Sequence, residues 1–328
     1  MGFNQILGQE RLKKNLERAL ENQQVVHAYL LQGEEGLGKR AIAQELAKGI
    51  ACRGQGKRPC NSCISCRKVE GGNHPEVRWI GGDKSIGIEA IRQIQRDFQR
   101  KAYEGRKKVA IIVQGDKMTI QAQNALLKTL EEPAKHGTII ILTDKTASLL
   151  PTIISRCQRI KLYPLARETI KDFLIEEKGI EPEEANLVAS LSKGIVGEAL
   201  KLIEDKEYKE RRDKTIGISR SLIDKNLIGV LEEIQFFLDE RQYIEEILET
   251  LLIWYRDILV YKTTRDDKYI INIDRLEEIS YQVEELTINN INQMLEIIDK
   301  AKENLRSNIN YRLNLEAMLL RLKKNIDN

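Results

Sequence analysis

The stretch Gly33-Glu34-Glu35-Gly36-Leu37-Gly38-Lys39-Arg40 constrains this chain more than any other. A short apolar run, Ala28-Tyr29-Leu30-Leu31, precedes it, and Ala41-Ile42-Ala43-Gln44-Glu45-Leu46-Ala47 follows with helical spacing. Strand, glycine-rich loop and helix in that order predict a phosphate-binding loop. Glycines at 33, 36 and 38 let backbone N–H groups turn inward around an anion. Lys39 adds a point charge, and the helix start adds its dipole. The next position departs from the pattern. A hydroxyl belongs after the lysine to ligate magnesium, whereas Arg40 has no lone pair to offer and is always cationic. Hydrolysis is therefore not expected, and ATP binding itself is in question.

The loop predicts an α/β domain, and the rest of the N-terminal half agrees. Candidate strands at 28–31, 77–80, 109–113, 138–142 and 158–162 alternate with helical patterns at 41–51, 88–100 and 119–130. Near-continuous apolar strands between helices imply a parallel sheet covered on both faces. We assign residues 1–162 to this domain. Residues 163–210 carry helical periodicity only, broken at Pro164 and Pro182, and read as a small helical domain. Residues 211–328 are helical throughout and form a third, all-α region. The mixed-sign run at 204–214 is expected to be a solvated helix at a domain joint.

Charge narrows the function. Lys plus Arg is 53 against 50 for Asp plus Glu, a formal net charge of only +3. A protein whose main act is coating nucleic acid shows a larger basic excess. No run approaches the roughly 18 apolar residues of a membrane span, and no basic segment leads into a long apolar one. The expected setting is cytoplasmic, with reduced cysteines.

Cys52, Cys60, Cys63 and Cys66 follow the pattern C-x7-C-x2-C-x2-C. Four thiolates in one short polar segment match the tetrahedral preference of zinc, and a full protein ligand set leaves no open position. A structural zinc module at 52–66 is the expectation, rimmed by Arg53, Lys57, Arg58, Arg67 and Lys68. Cys157 stands alone and reads as a buried apolar residue. His27 reads as a packed residue, and His74 and His136 as surface residues in glycine-flanked loops.

A P-loop ATPase also needs an acidic residue at a strand end to hold magnesium and orient water. The strand at 109–113 runs instead into Val113-Gln114, and Asp116 two residues on reads as a turn or helix cap. Taken with the P-loop remnant and the four-cysteine insert, three further segments are informative: Ile6-Leu7-Gly8-Gln9-Glu10, Asn124-Ala125-Leu126-Leu127-Lys128-Thr129-Leu130-Glu131-Glu132-Pro133, and Ser155-Arg156-Cys157. Together they resemble the AAA+ clamp-loader subunits of bacterial DNA polymerase III, over about the first 200 residues. The likeness is strongest to the delta prime branch, which does not hydrolyse ATP.

That resemblance implies a helical lid at 163–210 and an oligomerisation collar at 211–328. The implied partners are gamma or tau and delta subunits, with the sliding clamp and primed DNA reached through the complex. It places Gly197 where hydrolysing relatives keep a lid arginine, and Thr143 where they keep a polar γ-phosphate sensor. It also makes Arg156 an arginine finger, acting in trans on a neighbouring ATPase. Read from position alone, Arg156 is a surface arginine at the start of a strand. Two rival readings stand beside this one. One is an active ATPase using Asp116, and the other is a DNA-binding protein built on the zinc module.

Overall fold

A computed structural model describes residues 2–82, 85–100, 107–305, 307 and 309–327. The described residues form two compact units, one of residues 1–180 and 192–200, the other of 181–191 and 201–328. Positions 306, 308 and 328 of the predicted third region lie outside the described residues.

The first unit is built on five parallel strands: β1 Ala28–Gln32, β2 Val77–Ile80, β3 Lys108–Ile112, β4 Gly137–Thr143 and β5 Gln158–Lys161. Their spatial order is β2-β3-β4-β1-β5. Alternation along each strand divides two cores. Tyr29, Leu31, Val109, Ile111, Ile140 and Leu142 face one side, and Leu30, Ile112, Ile139 and Ile141 the other. The first side is covered by α1 (Glu10–Glu21) and α2 (Lys39–Ala51) through Leu16, Leu20, Ile42 and Leu46. The short α3 (Ile64–Glu70) packs on α2. The second side is covered by α4 (Ile88–Gln99), α5 (Ile120–Glu131) and α6 (Pro151–Arg156) through Ile91, Ile94, Leu126 and Ile153. The parallel sheet with both faces buried is the one the strand pattern predicts.

Thr119 caps α5 by accepting the Ala122 N–H at 3.2 Å, and Pro151 opens α6 in its first turn. The predicted 163–210 segment contributes α7 (Arg167–Lys178) and residues 192–200 to the first unit. It contributes α8 (Pro182–Leu191) to the second, and α9 (Val196–Glu204) starts in one and ends in the other.

Besides α8 and the end of α9, the second unit contains α10 (Tyr208–Asp224), α11 (Leu227–Leu231), α12 (Ile234–Asp239), α13 (Ile244–Thr264), α14 (Leu276–Glu285), α15 (Ile288–Leu305) and α16 (Tyr311–Asp327). Trp254, Phe237, Leu251, Met294 and Leu319 centre one apolar core. A buried polar chain crosses it: Trp254 Nε1 donates to Gln282 Oε1 at 3.1 Å, and Gln282 Nε2 to Ser219 Oγ at 2.9 Å. Satisfying each polar group in turn lets it be buried without loss.

Two sequence expectations are corrected. The mixed-sign run is solvated only in part: Lys206, Glu207, Lys209 and Glu210 are exposed, but Arg211 and Arg212 are only 3% and 4% exposed. Arg211 pairs with Asp205 and Glu246 and lies 3.7 Å over the Tyr243 ring, and Arg212 bonds Asp274 and Asn272 at 2.8 Å. Guanidinium groups bury when forked donors find partners, which charge counting along a chain does not reveal. His74 is likewise buried rather than on the surface, with Nδ1 accepting the Glu76 N–H at 3.2 Å in the turn that starts β2.

Candidate functional site

The phosphate-loop residues stand at the carboxyl end of β1, beside the ends of β3 and β4, where open α/β sheets bind ligands. Gly36 and Gly38 take φ of +83° and +88°, values that a side chain would oppose. The first helical bond of α2 runs from the Ile42 N–H to the Gly38 carbonyl at 3.0 Å. The N–H groups of Lys39, Arg40 and Ala41 therefore lie ahead of the hydrogen-bond ladder. They border a cleft of about 480 Å³ also lined by Val113, Gln114 and Asp144.

Lys39 is 8% exposed and folds back on its own loop. Its Nζ donates to the Gly33 and Glu34 carbonyls, both at 2.7 Å, and pairs with Asp144 Oδ1 at 2.6 Å. Arg40 sits on the cleft rim with its guanidinium 4.9 Å from the centroid of the Trp79 ring on β2. That is a cation–π arrangement and offers a metal nothing. At the end of β4, Thr143 Oγ1 donates to Asp116 Oδ1 at 2.9 Å and accepts the Lys145 N–H at 3.2 Å. Asp116 lies in a short 3-10 turn, Gly115–Lys117, that follows β3 after Val113 and Gln114.

Gly197 touches the loop directly. Its N–H donates to the Gly36 carbonyl at 3.0 Å, and a Cβ added at 197 would stand 2.6 Å from Gly36 Cα. Two glycines meet backbone to backbone here, and any side chain would force them apart. Position 197 is therefore a close backbone contact with the loop that a side chain would disrupt.

Arg156 ends α6 on the opposite face of the sheet from α2. Its Nη2 lies 2.8 Å from Glu131 Oε1, and Nη1 donates to the Thr152 carbonyl at 3.1 Å. Three of its five N–H donors are left over. Cys157 beside it is buried, and desolvation pushes its thiol up to about 12, so it is inert at neutral pH.

The four clustered cysteines come together as the spacing predicts, with their sulfur atoms all within 4.8 Å of one another. Sulfurs about 2.3 Å from a tetrahedral zinc stand about 3.8 Å apart, so the set fits such an ion with small adjustment. The backbone is arranged for thiolates: N–H groups of Cys60, Cys63 and Cys66 point at the sulfurs of Cys52, Cys60 and Cys63 at 3.4–3.5 Å. Burial opposes ionisation of Cys60, yet donors from Cys63 and Ser62 outweigh it and bring the thiol down to about 6. Gly54 is required here, since a Cβ would lie 2.6 Å from Cys60 Sγ. All five cysteines are free thiols, and the cluster can hold a metal ion.

Family models match both parts of the chain. One described as "DNA polymerase III, delta subunit" covers residues 8–166, and its C-terminal counterpart covers 219–324. The DNA polymerase III subunit delta' of Bacillus subtilis is 35% identical over 96% of this chain and 96% of its own length. The chain belongs to the delta prime family of DNA polymerase III subunits. Within the same superfamily, the tau subunit of B. subtilis is 27% identical over 98% of this chain, which spans 61% of tau. A gamma subunit-related protein of Thermotoga maritima shares the fold, with a TM-score of 0.50 at 21% identity over 95% of this chain and 99% of that one. This family membership makes the chain a clamp-loader subunit with an AAA+ sheet domain.

Sequence reasoning passed over three participants. Asp144 is one carboxylate after a strand, and nothing in its spacing marks it as the partner of a lysine 105 positions earlier. Glu131 reads only as a helix end, and Trp79 only as a strand residue. Each becomes visible when the sheet brings distant segments to one edge.

Proposed function

We propose that this chain is a non-hydrolysing member of a clamp-loader ring, assembled with gamma or tau and delta subunits to place the sliding clamp on primed DNA. The observation that carries the reading is the state of the phosphate loop. Its lysine is spent on internal acceptors, and the next residue is an arginine stacked on Trp79. Magnesium would find neither the loop hydroxyl nor a free strand-end carboxylate pair, since Val113-Gln114 occupies that place and Asp116 is engaged by Thr143. Lys39→Ala should accordingly leave ATP turnover of the assembled complex within about twofold of wild type.

On this reading the chain contributes Arg156 in trans to a neighbouring ATPase. A guanidinium keeps its charge at any pH, and its fork matches the γ-phosphate oxygens as charge spreads over them. The four cysteines hold one structural zinc, which supplies the folding energy that the polar 52–66 segment cannot derive from packing. Among the described residues no helix is long and apolar enough to cross a membrane, which fits work in the cytoplasm.

The helical second unit serves as the collar. Ile309, just before α16, and Leu313 and Leu320 on it are large apolar side chains left 47%, 62% and 38% exposed, more than an isolated helix face needs. Reconstitution tests the reading. Mixed with gamma or tau and delta subunits, the wild-type chain should enter a complex of defined mass with DNA-stimulated ATPase. Leu313→Glu should fold normally and be recovered largely outside that complex. Failure of the wild-type chain to join any such complex would remove the proposal.

A further inference from the structure

We propose that Asp144 is a built-in anion that holds Lys39 in place of a ligand phosphate, so that this one carboxylate sets the affinity of the loop for polyphosphates. The proposal concerns the isolated chain and does not depend on its place in a clamp loader.

A lysine ammonium has three N–H donors, and all three are accounted for: Gly33 O at 2.7 Å, Glu34 O at 2.7 Å and Asp144 Oδ1 at 2.6 Å. Two of the acceptors are neutral carbonyls of the loop itself. Only the third is charged, and it comes from outside the loop, from the residue directly after β4. A charge-assisted bond to a nearly buried ammonium is among the stronger interactions a side chain makes. A phosphate entering the loop must break it, and would then sit beside an uncompensated carboxylate, which repels it.

The remaining parts of an anion site are intact. Gly36 and Gly38 hold the left-handed angles of such a loop, and the N–H groups at the start of α2 lie ahead of its ladder. The cleft of about 480 Å³ beside them leaves room for a phosphate chain. Arg40 removes a metal ligand but adds a second cation at the rim. The loop thus retains backbone, space and charge, and Asp144 is what occupies it. The ligand class that suits an unlocked loop is a polyphosphate, whether free or carried on a nucleoside.

Equilibrium binding to the full-length chain tests this, using inorganic tripolyphosphate and a fluorescent ATP analogue as probes. Wild type should bind both weakly. Asp144→Asn and Asp144→Ala should each bind at least about tenfold more tightly, and the gain should vanish in the Lys39→Ala/Asp144→Asn double variant. Thermal melts identify which variants are folded, and Asp144→Ser substitutes for either one that is not. Folded Asp144 variants that bind no better than wild type would overturn the proposal. So would a gain that persists without Lys39, or a wild-type affinity already equal to that of the variants. Binding of tripolyphosphate and the nucleotide analogue to the same extent identifies the phosphate chain as the recognised group. A gain confined to the nucleotide would contradict that assignment.

Discussion

Cys63→Ser will yield a chain without bound metal whose 52–66 segment is cut rapidly by protease, while the parallel sheet stays folded. The two parts draw their folding energy from different sources. The sheet carries its own two apolar cores, and none of Leu31, Ile111, Ile140 or Leu126 depends on the insert. Within 52–66 only Cys52, Pro59, Ser65 and Cys66 are buried, and two of these are candidate ligands, so metal ligation must do the work. Structural zinc sites in small modules contribute apparent binding energies of about 10–16 kcal/mol, far beyond what two side chains supply. The seam between the parts is polar: Lys48 on α2, fully buried, pairs with Glu45 at 3.0 Å and with Glu70 at the end of α3 at 3.4 Å. Loss of the module therefore exposes a paired lysine at the seam, and of the apolar core only the margin at Val69 on α3 adjoins it. Metal analysis of protein kept reduced throughout checks the result. Wild type should carry about one zinc per chain and the variant none. A wild-type chain free of metal would contradict the assignment.

Arg156→Ala should have the largest effect on turnover while leaving the isolated chain unchanged. Arginine fingers are worth about 10³ to 10⁵ in rate at a single GTPase site. In a ring whose other interfaces keep their own arginines the overall loss is smaller, concentrated at the one adjoining site. Stability should barely move, because the pair with Glu131 is exposed at the surface and such pairs contribute about 0–1 kcal/mol. On the proposed reading, Glu131 orients the guanidinium rather than stabilising the fold. Arg156→Lys should rescue poorly, since it keeps charge and loses the fork. Adding Glu131→Ala to Arg156→Ala should cost nothing further, while Glu131→Ala alone should lower turnover measurably. That non-additivity marks two residues acting as one unit. Independent, additive losses would separate Glu131 from the finger.

Most of the first unit was legible because its signals are local and periodic. The strands at 77–80 and 158–162, the glycine loop and the four-cysteine spacing each lie within one short window. The strand at 77–80 has the predicted limits and the one at 158–162 ends one residue early, as strand ends do. What could not be read depends on contacts between distant segments. Lys39 looks like a phosphate ligand in its own window, and only the adjacency of β1 and β4 delivers Asp144 to it. Arg211 and Arg212 look solvated in a charged run, and only α13 and the turn at 272–274 show that they are buried. Gly197 reads as a missing arginine, whereas its contact with Gly36 shows what glycine does there. Residue chemistry was visible from the start, and the pairing of one residue with another was not.

The central claim is that this subunit contributes an arginine to ATP hydrolysis while hydrolysing nothing itself. One experiment addresses both halves: steady-state, DNA-stimulated ATPase of reconstituted complexes identical except at this chain, with Lys39→Ala and Arg156→Ala compared against wild type. Complex mass and zinc content are verified for each. The account predicts turnover unchanged by Lys39→Ala and clearly reduced by Arg156→Ala. The reverse pattern, with Lys39→Ala slowing the complex and Arg156→Ala leaving it at the wild-type rate, would contradict it.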